Sequence, residues 1–191
     1  ERRMGEPGTV VSAKDVKKLR DMTGAGMMGC KRALMEMEGD IEKAVDLLRA
    51  KGAAKVAKRA GKSANEGTIG SYVHFDNMTA VIVELNCETD FVANTDDFRA
   101  LAKDLALHIA SSAPIAVSRD QIPDEVLERE RNVYLEQVKE GDAKPEHIVD
   151  KIVEGKMSKF LKHNTLLAQD FVKDQDKTIE ELITEVSSRT G

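Results

Sequence analysis

The 191-residue chain has no tryptophan, only 4% aromatic residues, two cysteines and four prolines. With a third of its residues charged, that composition predicts a helix-rich, soluble protein. No apolar run approaches the ~18 residues of a membrane span. The stretch from Glu1 to Gly8 lacks the hydrophobic region of a secretory signal, so a cytoplasmic location is expected. Cys30 and Cys87 fall in separately folded stretches, which favours two reduced thiols over a disulfide. A net charge of -5 argues against nucleic acid as the main partner. Thr23-Gly24-Ala25-Gly26 has glycines but neither the spacing nor the lysine of a phosphate loop, and a chain reversal between helices explains it better. His74, His108, His147 and His163 have no companion at metal-ligand spacing. Glu88, Asp90, Asp96 and Asp97 could form an acid/base pair, but clustered at a helix start they serve its dipole first. No catalytic, metal or cofactor site is expected.

What is present centres on Asn86-Cys87-Glu88-Thr89-Asp90-Phe91-Val92-Ala93-Asn94. Before it, Val81, Val83 and Leu85 alternate with Ala80, Ile82 and Glu84, the period of a strand. After it, Phe98, Leu101, Leu105 and Ile109 recur at helical steps, with a break predicted near Asn94-Thr95. Thr89 stands where the period changes and can cap the helix, while Asp90 suits the positive end of its dipole. Spacing leaves Phe91 two placements: packed under the sheet, or projecting from the turn.

Around this stretch the pattern predicts an α+β fold. Residues 1–11 read as a tail. Residues 12–52 read as three short helices: one capped by Ser12 with Val16, Leu19 and Met22 inward, one with Met27, Cys30, Leu34 and Met37 inward, and one capped by Asp40 and stopped by Gly52. Met28 points away from the second stripe, as gap filler or as contact surface. Residues 53–66 form a linker; the basic run over 51–62, with Lys51, Lys55, Lys58, Arg59 and Lys62 and no acid among them, reads as solvated rather than RNA-binding. Residues 67–173 form the core domain: a hairpin turning at Asp76-Asn77, then helices opened by Pro123 and Pro145, the former closed by Gly141. Thr165 to Val172 is predicted as the third strand of an antiparallel sheet, pairing with the hairpin. Residues 174–191 form a helical module, with a capping box between Thr178 and Glu181.

Cys87-Glu88-Thr89-Asp90-Phe91-Val92-Ala93 resembles the signature of the elongation factor Ts family. Thr23-Gly24-Ala25-Gly26-Met27-Met28, Cys30-Lys31, Ala33-Leu34, Gly39-Asp40-Ile41-Glu42-Lys43-Ala44 and Phe171-Val172-Lys173-Asp174 follow that family in the same order. Asn94 departs from it, standing where a basic residue is usual. The resemblance implies a guanine-nucleotide exchange factor of elongation factor Tu with a ubiquitin-associated-like three-helix module. It implies that Phe91 wedges between partner helices, Asp90 disturbs the magnesium shell, and Val92 and Ala93 keep the contact apolar and close. It implies that Met27 and Met28 touch a helix of the GTPase. Short members of this type imply a homodimer through residues 67–173 and a two-plus-two complex. The competing classes are a ubiquitin-associated-like adaptor and a ribosome- or RNA-associated protein.

Overall fold

The computed structural model describes residues 11–59, 61–140 and 145–190. Residues 1–10 of the tail expected over 1–11, and the helix stop expected at Gly141, lie outside them. In order come α1 (Ala13–Thr23), α2 (Met27–Glu36), α3 (Ile41–Ala57), β1 (Glu66–Val73), β2 (Ala80–Cys87) and α4 (Asp90–Ala93). They are followed by α5 (Asp96–Ser112), α6 (Asp124–Lys139), α7 (Glu146–Asn164), β3 (Asp170–Phe171), β4 (Asp174–Thr178) and α8 (Ile179–Thr190). The mixture of helices with two small two-stranded sheets is an α+β fold. Two compact units emerge: one holds the residues up to Gly67, Asn86–Phe98 and those from Ile183 onward; the other holds Thr68–Leu85 and Arg99–Leu182.

In the first unit, α1, α2 and α3 pack on one another around Val16, Leu19, Cys30, Ala33, Leu34 and Ala44. Their boundaries are local chemistry. The Ser12 hydroxyl accepts the Asp15 amide at 3.1 Å, and Gly24, at φ +66°, ends α1 by donating its N–H to Arg20 O at 2.7 Å. A left-handed φ is open to glycine without a Cβ penalty. The Asp40 carboxylate accepts the Lys43 amide at 3.1 Å, which caps α3 and holds the Asp40 carboxyl below its usual range. The expected stripes are partly redrawn. Val16, Leu19, Cys30 and Leu34 are buried, but Met22 and Met27 are exposed. Met27 opens α2, and side chains on a helix lean towards its N-terminus, so this one leans past the core. Nor does α3 stop at Gly52. A glycine inside a helix costs about 1 kcal/mol without ending it, and here it admits a neighbour: a Cβ on Gly52 would lie 2.9 Å from Ser188 Cβ on α8.

In the second unit β1 and β2 form a hairpin, necessarily antiparallel because six residues cannot make a parallel crossover. His74 N–H donates to Thr79 O at 2.8 Å, and Asn77, at φ +57°, takes the left-handed position in the turn. The hairpin lies directly on α5: a Cβ on Gly70 would sit 2.2 Å from Ala102 O. Leu101, Ala102, Leu105 and Ala106 bury the inner face of α5, and α6 packs along α7.

The predicted three-stranded sheet is not formed. Thr165 ends α7, Leu166–Ala168 coils into a single 3-10 turn, and only Asp170–Phe171 forms a strand. That short strand pairs antiparallel with β4, two residues further on, and not with the hairpin. A partner so close in sequence costs little loop-closure entropy. The stretch expected to begin a helical C-terminal module at 174 therefore begins with a strand. Its sequence, Asp-Gln-Asp-Lys-Thr, offers no apolar alternation to reveal it. The segment after α7 does find a distant partner, but it is the one after α5: Leu166 and Leu167 donate to Ala116 O and Val117 O at 2.9 and 3.0 Å.

Fully buried His108 joins these pieces. Its Nε2 lies 2.9 Å from Gln169 Oε1, while Val172 N–H donates to its Nδ1 at 3.2 Å. A neutral ring with the proton on Nε2 satisfies both contacts. Gln169 Nε2 in turn donates to His163 O at 2.6 Å and Ser112 O at 3.4 Å. The capping box is also formed: Thr178 Oγ1 accepts the Glu181 amide at 3.2 Å and Glu181 Oε2 accepts the Thr178 amide at 2.9 Å.

The tightest approach makes a direct test. Gly70→Ala forces a methyl against the α5 backbone and should cost about 1–3 kcal/mol in urea denaturation. Gly61→Ala, with nothing within 4 Å of the new atom, should leave the midpoint unchanged.

Candidate functional site

The signature stretch folds as a strand end, one helical turn and a second helix start. Thr89 is extended (φ -141°, ψ 151°), and its Oγ1 accepts the Val92 amide at 3.4 Å, capping α4. Beneath it the buried Cys87 thiol donates to Thr89 O at 3.1 Å. The turn ends where Asn94 returns both its backbone N–H (3.0 Å) and its Nδ2 (2.9 Å) to Asp90 O. Thr95 repeats the device: its Oγ1 donates to Val92 O at 2.8 Å and accepts the Phe98 amide at 3.3 Å, starting α5. The helix break expected near Asn94-Thr95 is therefore a cap following a cap.

This backbone sorts the side chains. Ala93 and Phe98 face inward and are buried, Val92 is half-buried, and Asp90 is exposed in the first turn, where negative charge is favoured. Phe91 is 83% exposed. The alternative of a ring packed under the sheet is overturned. Leaving so large an apolar surface in water forgoes roughly 1.5–3 kcal/mol of burial.

The other predicted contact stands on the α1–α2 connection. Gly24 and Gly26 frame it, the Cys30 thiol donates to Ala25 O at 3.4 Å, and Met27 and Met28 open α2 at 50% and 67% exposure. Both segments belong to the same compact unit. Met28 is off the core stripe as expected, and Met27 has joined it outside.

Sequence reasoning missed how these segments are tied. Arg59 and Lys62, assigned to a solvated linker, both reach Glu88: Arg59 Nε is 3.1 Å from Oε1 and Lys62 Nζ 3.0 Å from Oε2. Lys51 reaches Glu36 Oε2 at 2.6 Å. The available signal was charge: an acid-free basic run must find its counter-charges elsewhere. Among the described residues, no group of three or more His, Cys, Asp or Glu could hold a metal ion. No helix among them is long and apolar enough to cross a membrane.

One compact unit thus exposes a ring on a capped turn and two methionines on a glycine-framed one, apolar groups of the kind that contact other proteins. Comparison with known proteins makes the class specific. The family model for elongation factor Ts matches residues 12–190. Elongation factor Ts of Thermosipho melanesiensis is 50% identical over 182 residues, covering 95% of this chain and 92% of that relative. The Syntrophomonas wolfei protein of the same name is 52% identical over 182 residues, covering 95% and 85%. That of Geobacter sulfurreducens is 49% identical over 181 residues, covering 95% and 83%. The chain belongs to the elongation factor Ts family, the guanine-nucleotide exchange factors of elongation factor Tu. The adaptor and RNA-associated alternatives give way to it, because the match extends over the core and the C-terminal helix as well as the first helices.

The cap can be tested alone. Thr89→Ala should destabilise the protein by about 1 kcal/mol, the usual loss of an N-cap hydroxyl. Thr89→Ser should recover most of it in the same thermal unfolding experiment.

Proposed function

We propose that Asp90, Phe91, Val92 and Ala93 are the part of this exchange factor that opens the nucleotide site of elongation factor Tu. The observation that carries this is the 83% exposure of Phe91 on a turn whose ends are both hydrogen-bonded. A translational GTPase holds GDP through backbone N–H groups around the phosphates and through a magnesium ion. Release quickens about tenfold for each ~1.4 kcal/mol of that hold removed while the two proteins stay docked. Phe91 wedges between partner helices and displaces the segment that orders the magnesium shell. Asp90 brings negative charge towards the ion's water ligands, and Val92 and Ala93 let the backbones approach. Nucleotide must weaken the factor's grip by the same coupling energy, so GTP expels the factor and completes the cycle.

Met27 and Met28, on a module of ubiquitin-associated type, supply affinity. Soft, exposed methionines fit a helix surface with little cost in shape. The setting is the cytoplasm, and the chain acts as an exchange factor without a catalytic side chain, cofactor or metal of its own. Nucleic acid is not a direct partner: much of the basic run is already matched by Glu36 and Glu88.

The chain works as a homodimer formed through residues 67–173, giving a two-plus-two complex. Ile69, Val73, Phe75, Met78 and Ile82 support this, because all are exposed on or beside one hairpin. An apolar surface of that extent marks an interaction face.

Phe91→Ala should retain docking to elongation factor Tu in calorimetry yet lose most of the acceleration of fluorescent-GDP release in stopped flow; full acceleration would exclude the wedge. Met28→Lys should do the reverse, weakening the complex roughly tenfold or more by setting a charge on an apolar contact. Sedimentation should give a dimer at micromolar concentration, and Phe75→Asp should shift it to monomer.

A further inference from the structure

We infer that Glu88 is a positioning residue for exchange: clamped by Arg59 and Lys62, it makes the Phe91 turn and the methionine tip a single rigid two-point contact. The inference rests on the proposed roles of Phe91 and Met28, and adds to them how force is transmitted between them.

Glu88 joins the last residue of β2 to the Thr89 cap, so its backbone sets the origin of α4. Its side chain is only 25% exposed and gives one oxygen to each cation, Oε1 to Arg59 and Oε2 to Lys62. Those cations lie just beyond α3, which packs on both α1 and α2, and α2 carries Met27 and Met28. A second tie closes the other side of the turn. The Arg189 stem lies across Gly24, where a Cβ would come within 2.1 Å of its Cδ, and its Nε lies 3.8 Å from Asp97 Oδ2 in the first turn of α5. The Phe91 turn is therefore tied directly to the end of α3 just before it, at Glu88, and more loosely three residues after it, at Asp97, through an α8 arginine that rests on Gly24 and also pairs with Glu185. All of these residues belong to one compact unit.

Magnitudes separate this role from simple stabilisation. Partly exposed ion pairs contribute little to folding. A wedge, in contrast, acts by geometry, and a misplacement of about 1 Å at a reacting site can cost as much as 10²-fold in rate. A turn left hinged on the end of a hairpin would still touch the partner, but would recoil instead of displacing its helices. Loss of the clamp should consequently lower the maximal acceleration of release more than it weakens docking.

The test is stopped-flow release of fluorescent GDP from elongation factor Tu, titrated with the full chain and its variants, with Phe91→Ala run in parallel. Glu88→Ala should lower the saturating release rate about tenfold while the half-saturating concentration and the thermal midpoint stay close to those of the parent. Arg59→Ala/Lys62→Ala, which leaves the signature intact, should reproduce that loss. The charge swap Glu88→Arg/Arg59→Glu should recover part of it, and Glu88→Gln, still able to accept hydrogen bonds, should lie between. An unchanged saturating rate for Glu88→Ala, beside a strong loss for Phe91→Ala, overturns the clamp and leaves the wedge standing. A loss for Glu88→Ala that the Arg59/Lys62 pair does not share also overturns it. No loss for Phe91→Ala removes the wedge itself, and the clamp with it.

Discussion

A helix of one turn cannot hold itself together, because nucleation fixes several residues for a single hydrogen bond. The segment Asp90–Ala93 exists because its surroundings supply what its length denies it. Thr89 caps it, Asn94 closes it, Ala93 anchors its inner side, and the Cys87 thiol fixes the peptide from which it starts. With the backbone so constrained, the direction of the Phe91 side chain is no longer a matter of its own preference for burial. The exposed ring is a local cost offset by the stability of everything around it, a pattern expected where function overrides the usual placement of apolar residues.

The same logic accounts for the close approaches elsewhere. Gly24, Gly52 and Gly70 each lie where a side chain would meet a neighbour: Arg189, Ser188 and the Ala102 carbonyl. They let helix stand against helix and hairpin against helix without intervening bulk. An apolar core of leucine, alanine and cysteine in the first unit, and a buried His108–Gln169 network in the second, then give each unit a determinate interior. The polar network is fully paired, so its burial carries no orphaned group and specifies one arrangement of α5, the end of α7 and β3.

Much of the fold was legible where cause and effect lie within a turn of each other. The Ser12 and Asp40 caps, the Gly24 stop, the Thr89 cap, the break after Asn94 and the Thr178–Glu181 box all follow from side chains bonding to nearby backbone. The hairpin was legible from alternation and its Asp76-Asn77 turn. The strand Asp174–Thr178 was not, since it is polar throughout and is defined by its partner. The run Thr165 to Val172 misled for the opposite reason. Its alternating leucines and phenylalanine suit a strand, but Leu166–Ala168 coils and only Asp170 and Phe171 form a strand. Gly52 misled because its stop signal was answered by packing against Ser188.

The sequence by itself determined the family, through two motifs in fixed order, and the starts and stops of most helices, because those signals are chemical and short-ranged. Tertiary structure alone decided that Phe91 projects, that Met27 joins Met28 outside the core, that Glu88 gathers two cations from the end of α3, and which strands pair. Exposure depends on which elements come to cover a side chain, while the Glu88 contacts and the failed third strand depend on segments distant in the chain meeting in space. Their meeting is governed by the closure of loops and the filling of volume, which no local pattern of residues encodes.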